Sequence, residues 1–315
     1  MTGPGPDAPT GRDPVPAGSP DGGSAGGASR AARLAWGAVV LLVAGVVALT
    51  VYALTRSPTR AEVARPATTS AGIVASLQSV PAAAFDAAGA TVPGVTLTPP
   101  TVLSGQTPLQ QSGTPEVLFV GTEYCPFCAA ERWALVVALA RFGRFVTLHN
   151  AVSAPQSVFG GIQTFSFVGT TYESPWVSLT GIELYSDQLG ADGTFTRIAH
   201  LTPAQAALVA RYSPMARGGT VGSAPFVDIG NRMVTTTSAF SPALLVGQSQ
   251  AQITDEVVHP DTQASGGSPP PPTGQAVLAA ANQLTAGICQ ATGGQPATVC
   301  TSKGVQAAAG ALGLG

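Results

Sequence analysis

The chain is poor in the residues that most often announce a function. It has one lysine, Lys303, three histidines, and charged residues at only 10% of 315 positions. A net charge of −2 with no basic cluster excludes the phosphate contacts on which nucleic-acid binding depends. His149, His200 and His259 stand singly, so no closely spaced histidine pair offers itself to zinc and no metal set is assigned. Gly247-Gln248-Ser249-Gln250-Ala251 fails the G-x-S-x-G pattern at its last position. Neither a phosphate-cradling glycine loop nor a carboxylate constellation is present, and no cofactor is expected.

Large apolar side chains are almost absent from residues 1–29, which are mostly Gly, Pro, Ala, Ser and Asp. Such a composition cannot offset the entropy of ordering, and a disordered arm is predicted over 1–33. From Leu34 to Leu54 the pattern reverses: 21 residues carry no charge, between Arg33 and Arg56. At a rise of about 1.5 Å per residue this run spans roughly 30 Å, the thickness of a bilayer's hydrocarbon core. Trp36 and Tyr52 lie near its ends, where amphipathic rings favour the headgroup level. The apolar region of a cleaved signal peptide is shorter, and no clear small-x-small site follows, so a single transmembrane helix is predicted over 34–55. Arginines on both sides leave its orientation undecided.

Residues 56–112, rich in Pro, Thr, Ser and Ala, read as a stalk with a small docking element, one short helix around Ile73, Val74, Leu77 and Val80. The main domain is expected over 113–315, with a linker at GGSPPPP, residues 266–272. Within it, Val117-Leu118-Phe119-Val120 reads as a strand buried on both faces, followed by an apolar helix over Ala129–Phe142. Phe145–Leu148 reads as the returning strand of a βαβ unit. Two more strands are expected at Thr164–Val168 and Trp176–Tyr185, the second bulged at Gly181. Thr202-Pro203 opens a helix to Tyr212, and Phe226–Ile229 with Arg232–Thr236 forms a hairpin.

Cysteine is scarce too: four in the chain, two of them in Cys125-Pro126-Phe127-Cys128. This pair falls between the buried strand and the apolar helix, at a helix N-terminus. Partial positive charge and unpaired N–H groups there favour a thiolate, the form that attacks disulfides. Cys125 is therefore assigned as nucleophile and Cys128, one turn on, as the resolving thiol. Glu123 would oppose the thiolate and Arg132 would favour it. A zinc site would need two further ligands at suitable spacing, and a purely structural bridge would close too small a loop to stabilise much. Far downstream, Ala224-Pro225-Phe226-Val227-Asp228 resembles the loop of thioredoxin-like folds in which a cis-proline packs against the dithiol. A cis bond is expected before Pro225, with Ala224 offering backbone groups to an extended substrate; the alternative is an ordinary trans proline opening a strand.

Glu123–Gly143, Thr164–Phe167, Tyr172–Val177, the Ser223–Arg232 loop and the C-terminal cysteines together resemble an uncharacterised prokaryotic family of membrane-anchored thioredoxin-like proteins, domain of unknown function 929. The resemblance covers roughly residues 70–315 and implies an α/β fold. A central mixed sheet flanked by helices would carry a large insertion at about 150–220, and a single transmembrane helix would precede it. The family carries no assigned activity; the wider thioredoxin superfamily implies thiol–disulfide exchange at Cys125, Cys128 and Pro225. Cys289 and Cys300, if joined, would staple a helix expected over Ala276–Ile288 to the tail; otherwise they are two buried thiols. One redox pair and one structural pair suit an oxidising compartment, placing the domain outside the membrane. The expected function is a membrane-tethered thiol–disulfide oxidoreductase whose partners are cysteine-containing exported proteins and a redox protein of the envelope. The rival is a thioredoxin-like scaffold with an inert CxxC bond.

Overall fold

A computed structural model describes residues 41–50, 65–213, 224–260 and 272–314. The chain divides into two units, Met1–Glu62 and Val63–Gly315. In the first, residues 41–50 are helical with exposed side chains. The rest of the predicted arm and span lies outside the described residues, as do 214–223 and 261–271. Among the described residues no helix is long and apolar enough to cross a membrane.

The second unit begins with α1 (Ala71–Gln78), α2 (Ala82–Ala88), β1 (Thr101–Val102), β2 (Gln110–Gln111), β3 (Thr114–Gly121), α3 (Pro126–Leu139), β4 (Arg144–Val152) and β5 (Gln163–Glu173). It continues with β6 (Ser178–Glu183), β7 (Tyr185–Leu189), β8 (Phe195–Arg197), α4 (Pro203–Tyr212), β9 (Phe226–Ile229) and β10 (Met233–Thr235). The helices α5 (Gln250–Val258), α6 (Thr273–Ala291), α7 (Ala297–Cys300) and α8 (Lys303–Leu312) complete it.

Four successive apolar residues of β3, Val117 to Val120, are buried. Successive strand side chains point to opposite sides, so such a strand must be covered on both faces. Val117 and Phe119, with Val227 and Ile229, enter a core shared with α3 and α6. Leu118 and Val120, with Phe226 and Val234, meet Val209 of α4 on the other side. Both edges of β3 are also paired: β6 runs parallel to it and β9 antiparallel, and β10 and β1 follow beyond β9. The result is an α/β fold, a mixed sheet in the order β6-β3-β9-β10-β1 with helices on both faces. α4 starts as its sequence dictates, with Pro203 in the first turn and Thr202 and Gln205 exchanging side-chain-to-backbone bonds in a capping box.

Three readings of the sequence are corrected. The strand at 145–148 exists, but β4 pairs antiparallel with β5 and does not return beside β3. Its burial alternates and Val146 is 49% exposed, whereas a strand flanked in parallel by β3 would be covered on both faces. Gly181 forms no bulge: β6 pairs with β3 in unbroken register through Gly181 and Phe119. A Cβ at 181 would lie 2.3 Å from Cβ of Phe167, so the glycine admits that ring's strand. The predicted stalk is a separate element only in part. Thr69 N–H donates to the Leu148 carbonyl and Asn150 N–H to that of Ala67, both at 2.8 Å, adding chain to the edge of β4. Leu77 of α1 and Phe85 of α2 are then buried in the α3 core, and Asn282 Nδ2 donates to the carbonyls of Phe85 and Gly89. Asn282 lies 197 and 193 positions from Phe85 and Gly89, so composition could not show that contact.

Cys289, near the end of α6, is disulfide-bonded to Cys300 of α7, and Val305 and Ala308 of α8 enter the core beside them. The bridge closes a sequence separation of 11 residues. Replacing both cysteines by serine is expected to lower stability by about 2–3 kcal/mol through loop entropy, read as a lower urea midpoint.

Candidate functional site

β3 ends at Gly121, and the chain turns through Thr122–Tyr124 into Cys125, the N-cap of α3. Cys125 has extended backbone angles (φ −80°, ψ 123°), so it stands just outside the helix with its side chain over the first turn. A sulfur takes the place that Ser or Asp oxygens usually hold: Sγ accepts the Cys128 N–H at 3.4 Å. Pro126 occupies the first turn, where its missing N–H costs nothing. One turn on, Cys128 lies about 3.2 Å from Cys125. The two are buried thiols not joined by a disulfide.

Their environments pull the two thiols apart. The Cys125 thiol is pushed down, first by its hydrogen bond with the Cys128 side chain, against the effect of burial, and with help from the Cys128 N–H and the Arg132 charge. The Cys128 thiol is pushed well up, mainly by burial and further by Cys125. One sulfur is thereby disposed to ionise and the other to keep its proton. Gly121 makes room for them: a Cβ there would lie 2.6 Å from the Phe119 ring and 3.1 Å from Cys128 Sγ.

Beneath the turn lies a buried charge network. Arg132 Nε and Nη2 donate to the two carboxylate oxygens of Glu183 at 2.9 and 2.7 Å, and Nη2 also reaches the Thr122 carbonyl at 2.6 Å. Both side chains of this pair are wholly buried. Burial works against the Arg132 charge, but Glu183 outweighs it and holds the guanidinium ionised. Glu123, two residues before Cys125, accepts a short hydrogen bond from Ser166 Oγ and one of 3.3 Å from the Asp187 N–H. Burial raises its carboxyl to about 7, aided by Glu183 and Asp187 and opposed by Ser166 and Arg132. On another side of α3, Glu131 accepts from Thr235 Oγ1 at 3.2 Å and from the Ala239 N–H at 2.9 Å, and burial raises it to about 7.

The surroundings are aromatic. Tyr124 stacks on Phe195 with ring centroids 4.0 Å apart and meets Tyr185 edge-on. Phe127, between the cysteines, is 37% exposed and lies edge-on to Phe159 at 6.1 Å. An apolar ring thus stands at the surface beside buried sulfurs.

Pro225 leads into β9, whose Phe226 pairs with Val120. Register therefore brings Pro225 and Ala224 to the sheet end at which β3 releases the chain toward Cys125. The expected cis bond is not found there: the cis peptide bond of the described residues is Gln295–Pro296. Trans is the lower-energy isomer, and a proline feeding directly into an extended strand requires no reversal of the chain. Cys289 and Cys300 lie together in their own disulfide. Among the described residues no group of three or more His, Cys, Asp or Glu is placed to hold a metal ion.

Glu183 and Ser166 escaped the sequence reading. Arg132, expected to favour the thiolate, stands seven positions after Cys125 and four after Cys128 and so falls on the helix face that both cysteines occupy. Its partner on β6 depended on a pairing that residue types do not announce.

The raised carboxyls have a consequence for stability. Glu131 binds its proton up to about 7 in the folded protein but only to about 4.3 in an unfolded chain. The folded state thus holds more protons between those values, and its stability is full below them and falls as pH rises through 7. Glu131→Gln removes a contribution of roughly 3 kcal/mol to this slope. Thermal unfolding from pH 4 to 8 is expected to show a flatter dependence in the variant than in the parent, whatever its absolute stability.

No curated protein and no solved structure matches the chain. Residues 101–290 match the family described as Domain of unknown function (DUF929), and because that stretch is more than half of the 315 residues, the chain belongs to this family.

Proposed function

We propose that the protein is a thiol–disulfide oxidoreductase of thioredoxin-like architecture, tethered to a membrane and acting on cysteines of exported proteins. The observation that carries the reading is the inequality of two adjacent thiols. Cys125 caps a buried helix and is disposed to ionise, while Cys128, one turn inside, keeps its proton. Strand order supports it: a strand that delivers the dithiol into a helix, a parallel neighbour, then an antiparallel hairpin opened by Pro225 at the same sheet end. Cys125 and Cys128 would be the catalytic residues, and Ala224 and Pro225 would line the approach of an extended substrate.

As a reductase, the Cys125 thiolate attacks a substrate disulfide; one new S–S bond forms, one breaks, and the leaving sulfur departs as thiolate. Cys128 then attacks Cys125 Sγ, releasing the second substrate sulfur, which takes the Cys128 proton. The substrate gains two electrons and the dithiol loses two. Oxidation of a substrate dithiol is the same sequence reversed.

The Cys289–Cys300 bridge supports an extracytoplasmic location, since such bonds persist in oxidising compartments. Leu34–Leu54 would supply the anchor. One observation favours the scaffold reading: Cys125 and Cys128 are 2% and 0% exposed. A bond closed there and shielded from substrate would be inert.

Insulin reduction and oxidation of reduced RNase distinguish the two. The parent is expected to turn over in at least one assay, Cys125→Ser to be inactive, and Cys128→Ser to trap mixed disulfides that a reductant releases. No turnover, with a potential well below about −300 mV, would establish the scaffold. After reduction of intact cells, a membrane-impermeant thiol reagent is expected to label the protein; labelling only after lysis would reverse the topology.

A further inference from the structure

The Arg132–Glu183 pair ties α3 to β6, a task that an apolar pair could perform at less cost. Burying two charges together is at best close to neutral against an apolar pair of similar volume, and removing one partner leaves the other charge buried and uncompensated. Even paired, the guanidinium is incompletely satisfied: Arg132 Nη1 is buried and has no hydrogen-bond partner. Polar groups left so inside a native protein call for a reason beyond packing.

Placement supplies one. Helical side chains lean toward the N-terminus of their helix, so Arg132, one turn after Cys128, reaches back under the turn that precedes Cys125. Its bond to the Thr122 carbonyl records that reach, and its guanidinium carbon lies 5.4 Å from the centroid of the Phe119 ring. Glu183 comes from the neighbouring strand, where it stands opposite Gly121 in the parallel register. The cation acts on both cysteines. Glu123 and Asp187 carry carboxyls nearby, and Tyr124 is a titratable group that faces both sulfurs.

We propose that the Arg132–Glu183 pair sets the redox poise of the dithiol: Arg132 is a positioning residue whose charge stabilises the thiolate form, and Glu183 withholds part of that charge. The inference rests on the oxidoreductase reading. Whenever the reduced Cys125 ionises, its sulfur carries negative charge that the disulfide lacks, so a nearby cation favours the reduced form and makes the disulfide more oxidising. In the resolving step the charge developing on Cys128 as it attacks Cys125 Sγ meets the same guanidinium. The Cys128 proton ends on the departing substrate sulfur, and the balance of two electrons is unchanged.

The test is a pair of substitutions with opposite signs. Glu183→Gln leaves the Arg132 charge uncompensated. It should lower the pH at which the Cys125 thiolate appears by its ultraviolet absorbance, and make the disulfide about tenfold easier to reduce in a glutathione buffer, about 30 mV for a two-electron couple. Arg132→Met should move both readouts about tenfold the other way, and Arg132→Lys should restore much of the parental potential. If Arg132→Met does not fold, Arg132→Met with Glu183→Gln removes both charges and is expected to fall between Glu183→Gln and the opposite extreme. Shifts of the same sign in the two single variants, or a double variant and Glu183→Gln both at the parental potential, would overturn the proposal. Failure of the underlying reading looks different: the parent would show no turnover in the insulin and RNase assays, whether or not these potentials move.

Discussion

A helix without a solvent face constrains everything near the dithiol. In α3 every residue from Cys128 to Leu139 is buried. A helix in this position cannot leave its ends or its polar side chains to water. Its N-terminus must be capped from within, and Cys125 does so. Glu131 and Arg132, adjacent in the middle of the helix, must each find partners on other elements. Glu131 finds them at Thr235 and the Ala239 N–H, and Arg132 finds Glu183 on β6 and the Thr122 carbonyl. The two faces of α3 are thereby tied to opposite parts of the sheet and its following loop.

The same burial gives the thiol pair its asymmetry. In water both cysteines would titrate alike; here burial and the Arg132 charge act on both, but burial dominates at Cys128, while Cys125, at the helix end, is governed first by its hydrogen bond with the Cys128 side chain. The difference between the two sulfurs therefore comes from position along one helix. Their residue type is identical, and only three positions separate them. Gly121 leaves the space that the Phe119 ring and Cys128 Sγ need, so the strand that delivers the dithiol also makes room for it.

Packing also explains why the unit is larger than its sheet. The β4–β5 pair lies off the main sheet yet supplies Ser166 to Glu123 and a carbonyl to Trp133 Nε1, bracing α3 from outside. The segment before α1 extends the edge of β4 through Ala67 and Thr69, next to these braces. At the far end the Cys289–Cys300 bridge and α8 close the core against α2 and α6.

Local signals were legible wherever a few neighbouring residues settle the energy. Four consecutive apolar residues require a covered strand, Thr202-Pro203 a capped helix, and Cys-Pro-Phe-Cys after such a strand a thiol pair at a helix N-terminus. What residue types alone could not decide was which elements lie side by side. The parallel neighbour of β3 is β6 rather than β4, the docking element around Leu77 runs on through α2 into the core, and Gly181 serves the approach of Phe167. The peptide bond before Pro225 is not cis, which the resemblance of one loop could not decide. Sequence by itself determined where the dithiol stands along the chain and which helix it caps, because propensity and capping act over one or two turns. Tertiary structure alone decided the charge network beneath it, because a buried guanidinium is stabilised only by the particular carboxylate that folding brings to it from fifty-one positions away.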